Sequence, residues 1–159
     1  MRIPGYSKKY TLTVNGKKTD AEVKNGYLYL AVEDKDVVKL ILDDTPHYLY
    51  ASAKVPALTG KTAIQRGPLV YCFEGVDNDG NVLELSLKRG GKLVVSAYNE
   101  ALLKGTVTIE AEAVRRKITE DLYTCKVPEE KPCTDTAVPY YTWGNRGENQ
   151  MRVWMSEKT

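Results

Sequence analysis

The chain has 159 residues, 42% hydrophobic and 28% charged, a composition that suits a soluble globular fold of one ordinary or two small domains and excludes a disordered chain. Its 23 Lys and Arg against 21 Asp and Glu leave a net charge of only +2, interspersed along the sequence, which argues against a phosphate-tracking surface and so against a nucleic-acid partner. No apolar run approaches the ~20 residues needed to span a bilayer, and the opening Met-Arg-Ile-Pro-Gly-Tyr lacks the apolar stretch of a secretory signal, so no membrane role is expected and the chain reads as a segment of something longer.

Tyr10-Thr11-Leu12-Thr13-Val14 is strand-like and runs into Asn15-Gly16, a pair that tolerates the positive φ angles of a tight hairpin turn. The chain then returns, and Asp20 to Val23 lead to a second such pair at Asn25-Gly26. Tyr27-Leu28-Tyr29-Leu30 alternates tyrosine with leucine, giving one aromatic and one aliphatic face. Val37-Val38-Lys39-Leu40-Ile41-Leu42 is rich in β-branched residues and bounded by charged turns, and His47-Tyr48-Leu49-Tyr50 follows Pro46, so four or five strands fit the first 50 residues. Pro56, Thr59 and Gly60 interrupt the pattern between Ala51 and Gly60, which marks a domain boundary.

Leu69-Val70-Tyr71-Cys72-Phe73 is a continuous apolar run, as in a strand buried on both faces, and Asp77-Asn78-Asp79-Gly80 makes a turn. Val82 to Leu87 alternates, with Leu83, Leu85 and Leu87 on one face, and Gly90-Gly91 turns the chain into Leu93-Val94-Val95. Asn99 to Lys104 is the only stretch that suits a helical turn. Thr106 to Val114 has the clearest period of two, with Val107, Ile109, Ala111 and Ala113 inward and Thr106, Thr108, Glu110 and Glu112 outward. Arg115-Arg116-Lys117 reads as a solvated strand end, and Met151 to Met155 as a last strand. Many short strands about ten residues apart predict an all-β fold, an antiparallel, jelly-roll-like β-sandwich.

Candidate chemistry is sparse. His47 is the single histidine, and nothing at recognisable spacing supplies it with a nucleophile. Cys72, Cys125 and Cys133 are odd in number and far apart, which argues against a disulfide framework and a zinc site; they read as reduced and lean toward a cytoplasmic setting. Asp77-Asn78-Asp79-Gly80-Asn81 is rich in oxygen ligands but places its glycine wrongly for a calcium loop, so no metal is expected. Glu110 and Glu112, about 7 Å apart by strand rise, resemble a pair of glycosidase acids only in spacing, because the polar face of a strand does not exclude water. The densest cluster runs from Val138 to Gly147. In it Tyr140, Tyr141, Trp143, Asn145 and Arg146 suit either a packed loop at a domain junction or a carbohydrate-binding surface, where rings stack on sugars and Asn and Arg bond hydroxyls.

Four segments carry a resemblance: Arg2-Ile3-Pro4-Gly5-Tyr6, Val14-Asn15-Gly16, Lys61 to Cys72 (Lys-Thr-Ala-Ile-Gln-Arg-Gly-Pro-Leu-Val-Tyr-Cys), and Pro139 to Gly147 (Pro-Tyr-Tyr-Thr-Trp-Gly-Asn-Arg-Gly). Together they resemble the C-terminal part of glycoside hydrolase family 127, the bacterial β-L-arabinofuranosidase-like family, over residues 2 to about 155; Tyr6 stands where that family has tryptophan. The resemblance implies an upstream (α/α)6 helical barrel carrying a catalytic cysteine, a glutamate and a zinc site. It carries no catalytic, metal or cofactor residue onto this chain. It further implies that residues 1–55 form part of a first sandwich, joined by a C-terminal strand in 148–159, and that 56–147 form a second. The expected function is therefore a non-catalytic, structural β region of a glycoside hydrolase, with the catalytic barrel as its partner and a glycan as an alternative one. A homodimer through the Leu28 and Leu30 face or Tyr27, Tyr29, Tyr48 and Tyr50 is also expected, because faces meant for the barrel would lie open.

Overall fold

The computed structural model describes residues 1–117, 119 and 121–159, and divides into two compact units, Met1–Thr45 and Pro46–Thr159. The fold is all-β: among the described residues the only helical segments are single 3-10 turns.

In the first unit, β1 (Tyr10–Val14) turns through Asn15 and Gly16, at φ 50° and 78°, into β2 (Lys17–Lys18). The turn pairs Val14 with Lys17, the two-residue hairpin that Asn-Gly favours because both positions need positive φ. Asn25 and Gly26 (φ 52° and 77°) join β3 (Glu22–Lys24) to β4 (Tyr27–Tyr29) in the same way. β5 (Val38–Leu42) pairs antiparallel with β1, Leu12 opposite Leu40. Asn15 fastens this hairpin to the start of β5: its side chain donates to Asp36 at 2.8 Å and accepts from the Val37 amide at 2.9 Å. Leu12 and Leu28 are buried. The Leu28 side chain is thus buried and not the open aliphatic surface expected of it, whereas Tyr27 and Tyr29 are exposed.

The second unit is built on one large sheet. Its strands are β6 (His47–Tyr50), β7 (Lys61–Arg66), β8 (Leu69–Glu74), β9 (Leu85–Lys88), β10 (Leu93–Val95), β11 (Ile109–Arg116), β12 (Glu130–Pro139), β13 (Met151–Arg152) and β14 (Met155–Lys158). Pairing runs β7-β8-β12-β11-β9-β14 and returns to β7, so the sheet closes on itself and β6, β10 and β13 flank the ring. An antiparallel sandwich was expected; the sheet instead forms a closed ring in which β9 and β14 run parallel. Closure removes the open edges of these six strands. Ile64, Tyr71, Phe73, Val82, Leu85, Leu87, Ile109 and Met155 make the core with Ala111, Ala113 and Ala137. Each large apolar side chain there contributes about 1.5–3 kcal/mol by leaving water.

Several sequence expectations are corrected. The boundary falls at Thr45 and Pro46, ahead of the Ala51 to Gly60 break, because β6 pairs with β7 from His47 opposite Gln65 to Tyr50 opposite Thr62. Among the described residues the C-terminal strand pairs with strands of the second unit and with none of the first. Fully buried Met155 anchors β14 in the ring, between β7 and β9, while β13 pairs with β8. Val82 to Glu84 is a 3-10 turn, capped by the Asn81 side chain on the Leu83 amide, so Val82 is buried and Leu83 is exposed. Thr106 is buried, not outward, and its strand begins at Ile109. Tyr48 lies against the ring core and its hydroxyl donates to the Gly91 carbonyl at 3.1 Å, which removes it from the expected dimer surface.

Asn99 to Lys104 is not a helical turn. Backbone bonds in both directions between Asn99 and Thr106 close a loop in which Leu103, Lys104 and Gly105 have φ of 52°, 62° and 105°. A Cβ on Gly105 would overlap the Tyr98 hydroxyl, and its φ disfavours L side chains. Gly105→Ala is therefore expected to destabilise the second unit by about 1–3 kcal/mol, read from the midpoint of urea unfolding.

Candidate functional site

The Val138 to Gly147 motif begins where β12 ends. Pro139 lies opposite Tyr71 of β8, and one 3-10 turn over Tyr140–Thr142 follows, held by the Thr142 hydroxyl on the Pro139 carbonyl at 2.7 Å. Positive φ at Gly144 and Gly147 then bends the loop back over the end of β8. Asn145 donates to the Thr142 carbonyl at 2.8 Å, so its amide braces the loop.

Arg146 reaches furthest. Its guanidinium makes a two-pronged pair with Asp77, Nη1 to Oδ1 at 2.6 Å and Nη2 to Oδ2 at 2.5 Å, and Nη2 also meets Glu74 Oε2 at 2.5 Å. Glu74 closes β8 and is fully buried. Its other oxygen accepts from the Gly144 amide at 3.0 Å and the Asn149 side chain at 3.2 Å. Burial pushes the Glu74 pKa up, but Arg146, the Gly144 amide and Asn149 together outweigh it and hold the carboxyl below the usual range. The Arg146 pKa is raised by Asp77 and, after opposing burial, by Glu74. This partly buried arrangement, forked on Asp77 and single on buried Glu74, is a latch that fixes the aromatic loop to the end of β8.

The acidic turn at Asp77 to Asn81 is held from a second side. Arg115, at the far end of β11, donates to the carbonyls of Asn78 at 3.1 Å and Asn81 at 3.3 Å and pairs with Glu84 at 3.4 Å and Asp135 at 3.5 Å. Arg115 was read as part of a solvated strand end; its side chain is only 20% exposed and is instead a tie between strand and turn. Asn78, 2% exposed, donates to the carbonyls of Glu74 at 2.7 Å and Thr136 at 3.0 Å and accepts from the Thr136 amide at 2.8 Å, joining β8 to β12. The sequence reading did not single out Glu74; it took Asp77 and Asn78 only as part of a turn and Arg115 only as part of a solvated strand end. Their roles depend on pairs far apart in the chain, and the nearest signal was the acidic turn itself.

All five residues expected in the motif thus come together in one loop, in two roles. Tyr140, Tyr141 and Trp143 are exposed, at 46%, 64% and 44%, with the Tyr140 and Trp143 rings tilted at 37° and centred 6.3 Å apart. Tyr141 also lines a cleft with Leu102, Leu103 and Lys104. The exposed rings meet half the requirement for a sugar surface. The other half is weak, because Asn145 and Arg146, the expected hydroxyl ligands, are engaged by the protein itself.

The remaining titratable groups lie elsewhere. His47 is on β6, opposite Gln65. Glu110 is exposed, and Glu112 pairs with Lys88 at 3.3 Å. The Lys92 backbone first, and then the Lys88 ammonium, hold the Glu112 carboxyl below the usual range, the opposite of what a general acid needs. Burial, then the Glu74 charge, pushes the Cys72 thiol up to about 12, and burial, then Asp135, pushes Cys133 to about 11. Among the described residues no group of three or more His, Cys, Asp or Glu could hold a metal ion, and no helix is long and apolar enough to cross a membrane.

Comparison with known proteins gives consistent matches. Residues 46–156 match the glycoside hydrolase family 127 C-terminal domain, and residues 1–43 the β-L-arabinofuranosidase GH127 middle domain. A non-reducing end β-L-arabinofuranosidase of Bifidobacterium longum subsp. longum is 38% identical over 164 residues, covering 97% of this chain and 25% of that protein. The crystal structure of Ara127N, a GH127 β-L-arabinofuranosidase from Geobacillus stearothermophilus T6, superposes with a TM-score of 0.91 at 39% identity, over 99% of this chain and 26% of that one. A second solved GH127 β-arabinofuranosidase gives a TM-score of 0.85 at 33% identity, over 94% of this chain and 23% of that one. The chain therefore spans about a quarter of the length of these relatives.

Proposed function

From a chain that belongs to glycoside hydrolase family 127, we propose a non-catalytic scaffold: the β-rich end of a β-L-arabinofuranosidase-like enzyme that supports a separate catalytic barrel acting on arabinofuranoside-type glycans. The observation that carries this reading is the state of the groups that chemistry would need. Glu74, the one fully buried carboxylate among the described residues, is neutralised by Arg146, and the thiols of buried Cys72 and half-buried Cys133 hold their protons far above neutral pH. A nucleophile or general acid requires the reverse. In the full-length enzyme the first unit would belong to a larger β-sandwich, and the exposed Tyr140, Tyr141 and Trp143 would face a neighbouring domain. The free thiols of Cys72, Cys125 and Cys133 favour a reducing compartment.

The test is direct. The purified chain, incubated with an aryl β-L-arabinofuranoside, is expected to release no arabinose above the buffer rate. Turnover that co-purifies with the chain and scales with its concentration would overturn the proposal.

A further inference from the structure

The first unit holds the same dipeptide twice, each time as a two-residue hairpin turn: Asn15-Gly16 between β1 and β2, and Asn25-Gly26 between β3 and β4. All four residues have positive φ and are exposed. The asparagine side chains differ. Asn15 donates to Asp36 Oδ1 at 2.8 Å and accepts from the Val37 amide at 2.9 Å, and its own amide donates to the Val37 carbonyl at 2.9 Å. The Asn25 side chain makes no hydrogen bond among the described residues. Its hairpin joins two three-residue strands, of which β3 is exposed throughout and β4 buries only Leu28. So short a strand pair opens locally at low cost.

An asparagine followed by glycine carries its own reaction, because glycine has no side chain to keep its backbone nitrogen away from the asparagine carboxamide. No other asparagine of this chain precedes a glycine. We propose that Asn25 is a site of spontaneous deamidation, and that Asn15 is spared by its bonds to the start of β5. In the first step the Gly26 nitrogen gives up its proton and attacks Cγ of Asn25. The new N–Cγ bond closes a five-membered imide, and the Cγ–Nδ2 bond breaks to release ammonia, which carries the proton away. Water then opens the imide. Cleavage of the N–Cγ bond gives aspartate, and cleavage between the nitrogen and the main-chain carbonyl carbon gives isoaspartate. One water enters and one ammonia leaves, with no oxidant or reductant.

Attack requires the Asn25 side chain and the peptide beyond it to rotate out of the tight turn. The Ile3 amide donates to the Gly26 carbonyl at 2.8 Å, but that bond holds the following peptide, not the reacting one. At Asn15 the same rotation must also break two side-chain hydrogen bonds, which corresponds to roughly a tenfold or greater difference in rate. The two turns differ in bonds made by their own chain, so the contrast is independent of what surrounds the first unit and of the scaffold reading. Aspartate suits the same turn. Isoaspartate lengthens the main chain by a methylene, which a two-residue connection between Lys24 and Tyr27 does not absorb without losing register.

The purified chain, aged in warm, mildly alkaline buffer, is digested with trypsin and followed by mass spectrometry; Asn15 and Asn25 fall on separate peptides, residues 10–17 and 25–35. Asn25 should convert roughly tenfold or more faster than Asn15. In strong urea the two rates should converge, because only the fold separates them. Asp36→Ala removes one of the bonds on Asn15 and should raise its rate several-fold while leaving that of Asn25 unchanged. Equal rates in the folded chain, a faster Asn15, or an Asn25 that stays intact while the unfolded chain converts would overturn the proposal.

Discussion

Replacing Arg146 by methionine is expected to lower the stability of the second unit by about 3–5 kcal/mol, the typical cost of stranding a buried charge. Methionine keeps much of the side-chain volume but leaves Glu74, which is fully buried, with only the Gly144 amide and Asn149 as donors. Urea unfolding at neutral pH measures the loss. A loss below about 1 kcal/mol, the range of surface pairs, would mean that the latch carries no weight. Arg146→Met combined with Glu74→Gln should lose less than Arg146→Met alone, because the stranded charge is gone.

The same pair sets an acid dependence whose sign follows from the direction of the Glu74 shift. In the native protein that carboxyl lies below the usual range, so the stability it contributes is complete above the unfolded value and is lost as the pH falls through the folded one. With Arg146 removed, burial becomes the leading influence and pushes the carboxyl up. The variant should then recover relative to wild type on mild acidification, as the stranded carboxylate takes up a proton. A gap between the two proteins that stays constant from neutral to mildly acidic pH would show that Glu74 is not the group responsible.

Asn78→Ala is expected to cost about 2–4 kcal/mol. The side chain satisfies two carbonyls and one amide at the junction of β8 and β12, and alanine leaves all three in a buried setting. Asn78→Asp separates hydrogen bonding from packing. It keeps the shape and the acceptor for the Thr136 amide but turns two donors into an oxygen facing the carbonyls of Glu74 and Thr136. At neutral pH its loss should equal or exceed that of alanine, and it should shrink in acid. If Asn78→Asp were as stable as wild type, the side-chain donors would not be what joins the two strands.

Local pattern carried the first unit. The two Asn-Gly pairs need residues that tolerate positive φ, and the short strands beside them announce themselves by alternation, so β1 coincides with the expected strand and β5 begins one residue later. The second unit was less legible. β12 is its longest strand, yet Pro132 and Pro139 within it disguise the pattern. Leu83 fits a strand by spacing, but the Asn81 cap bends Val82 to Glu84 into a turn and throws that leucine into solvent. In the loop after β12 the residue types were legible and their roles were not. Glu74 and Arg146 stand 72 positions apart, and no local rule joins a carboxylate ending one strand to a guanidinium beyond another. Arg115 was misplaced for the same reason, since its solvation depends on a turn more than 30 residues earlier.

β14 also bears on how the second unit is made. Although it comes from the last residues of the chain, it sits inside the ring, flanked by β7 and β9, and places Met155 in the core. During synthesis on the ribosome, the nascent chain therefore exposes the facing edges of β7 and β9 until residues 155–158 emerge, and the barrel cannot seal before then. A premature stop just ahead of Met155 would leave two unpaired strands beside an opened core, the arrangement most prone to stick to its neighbours.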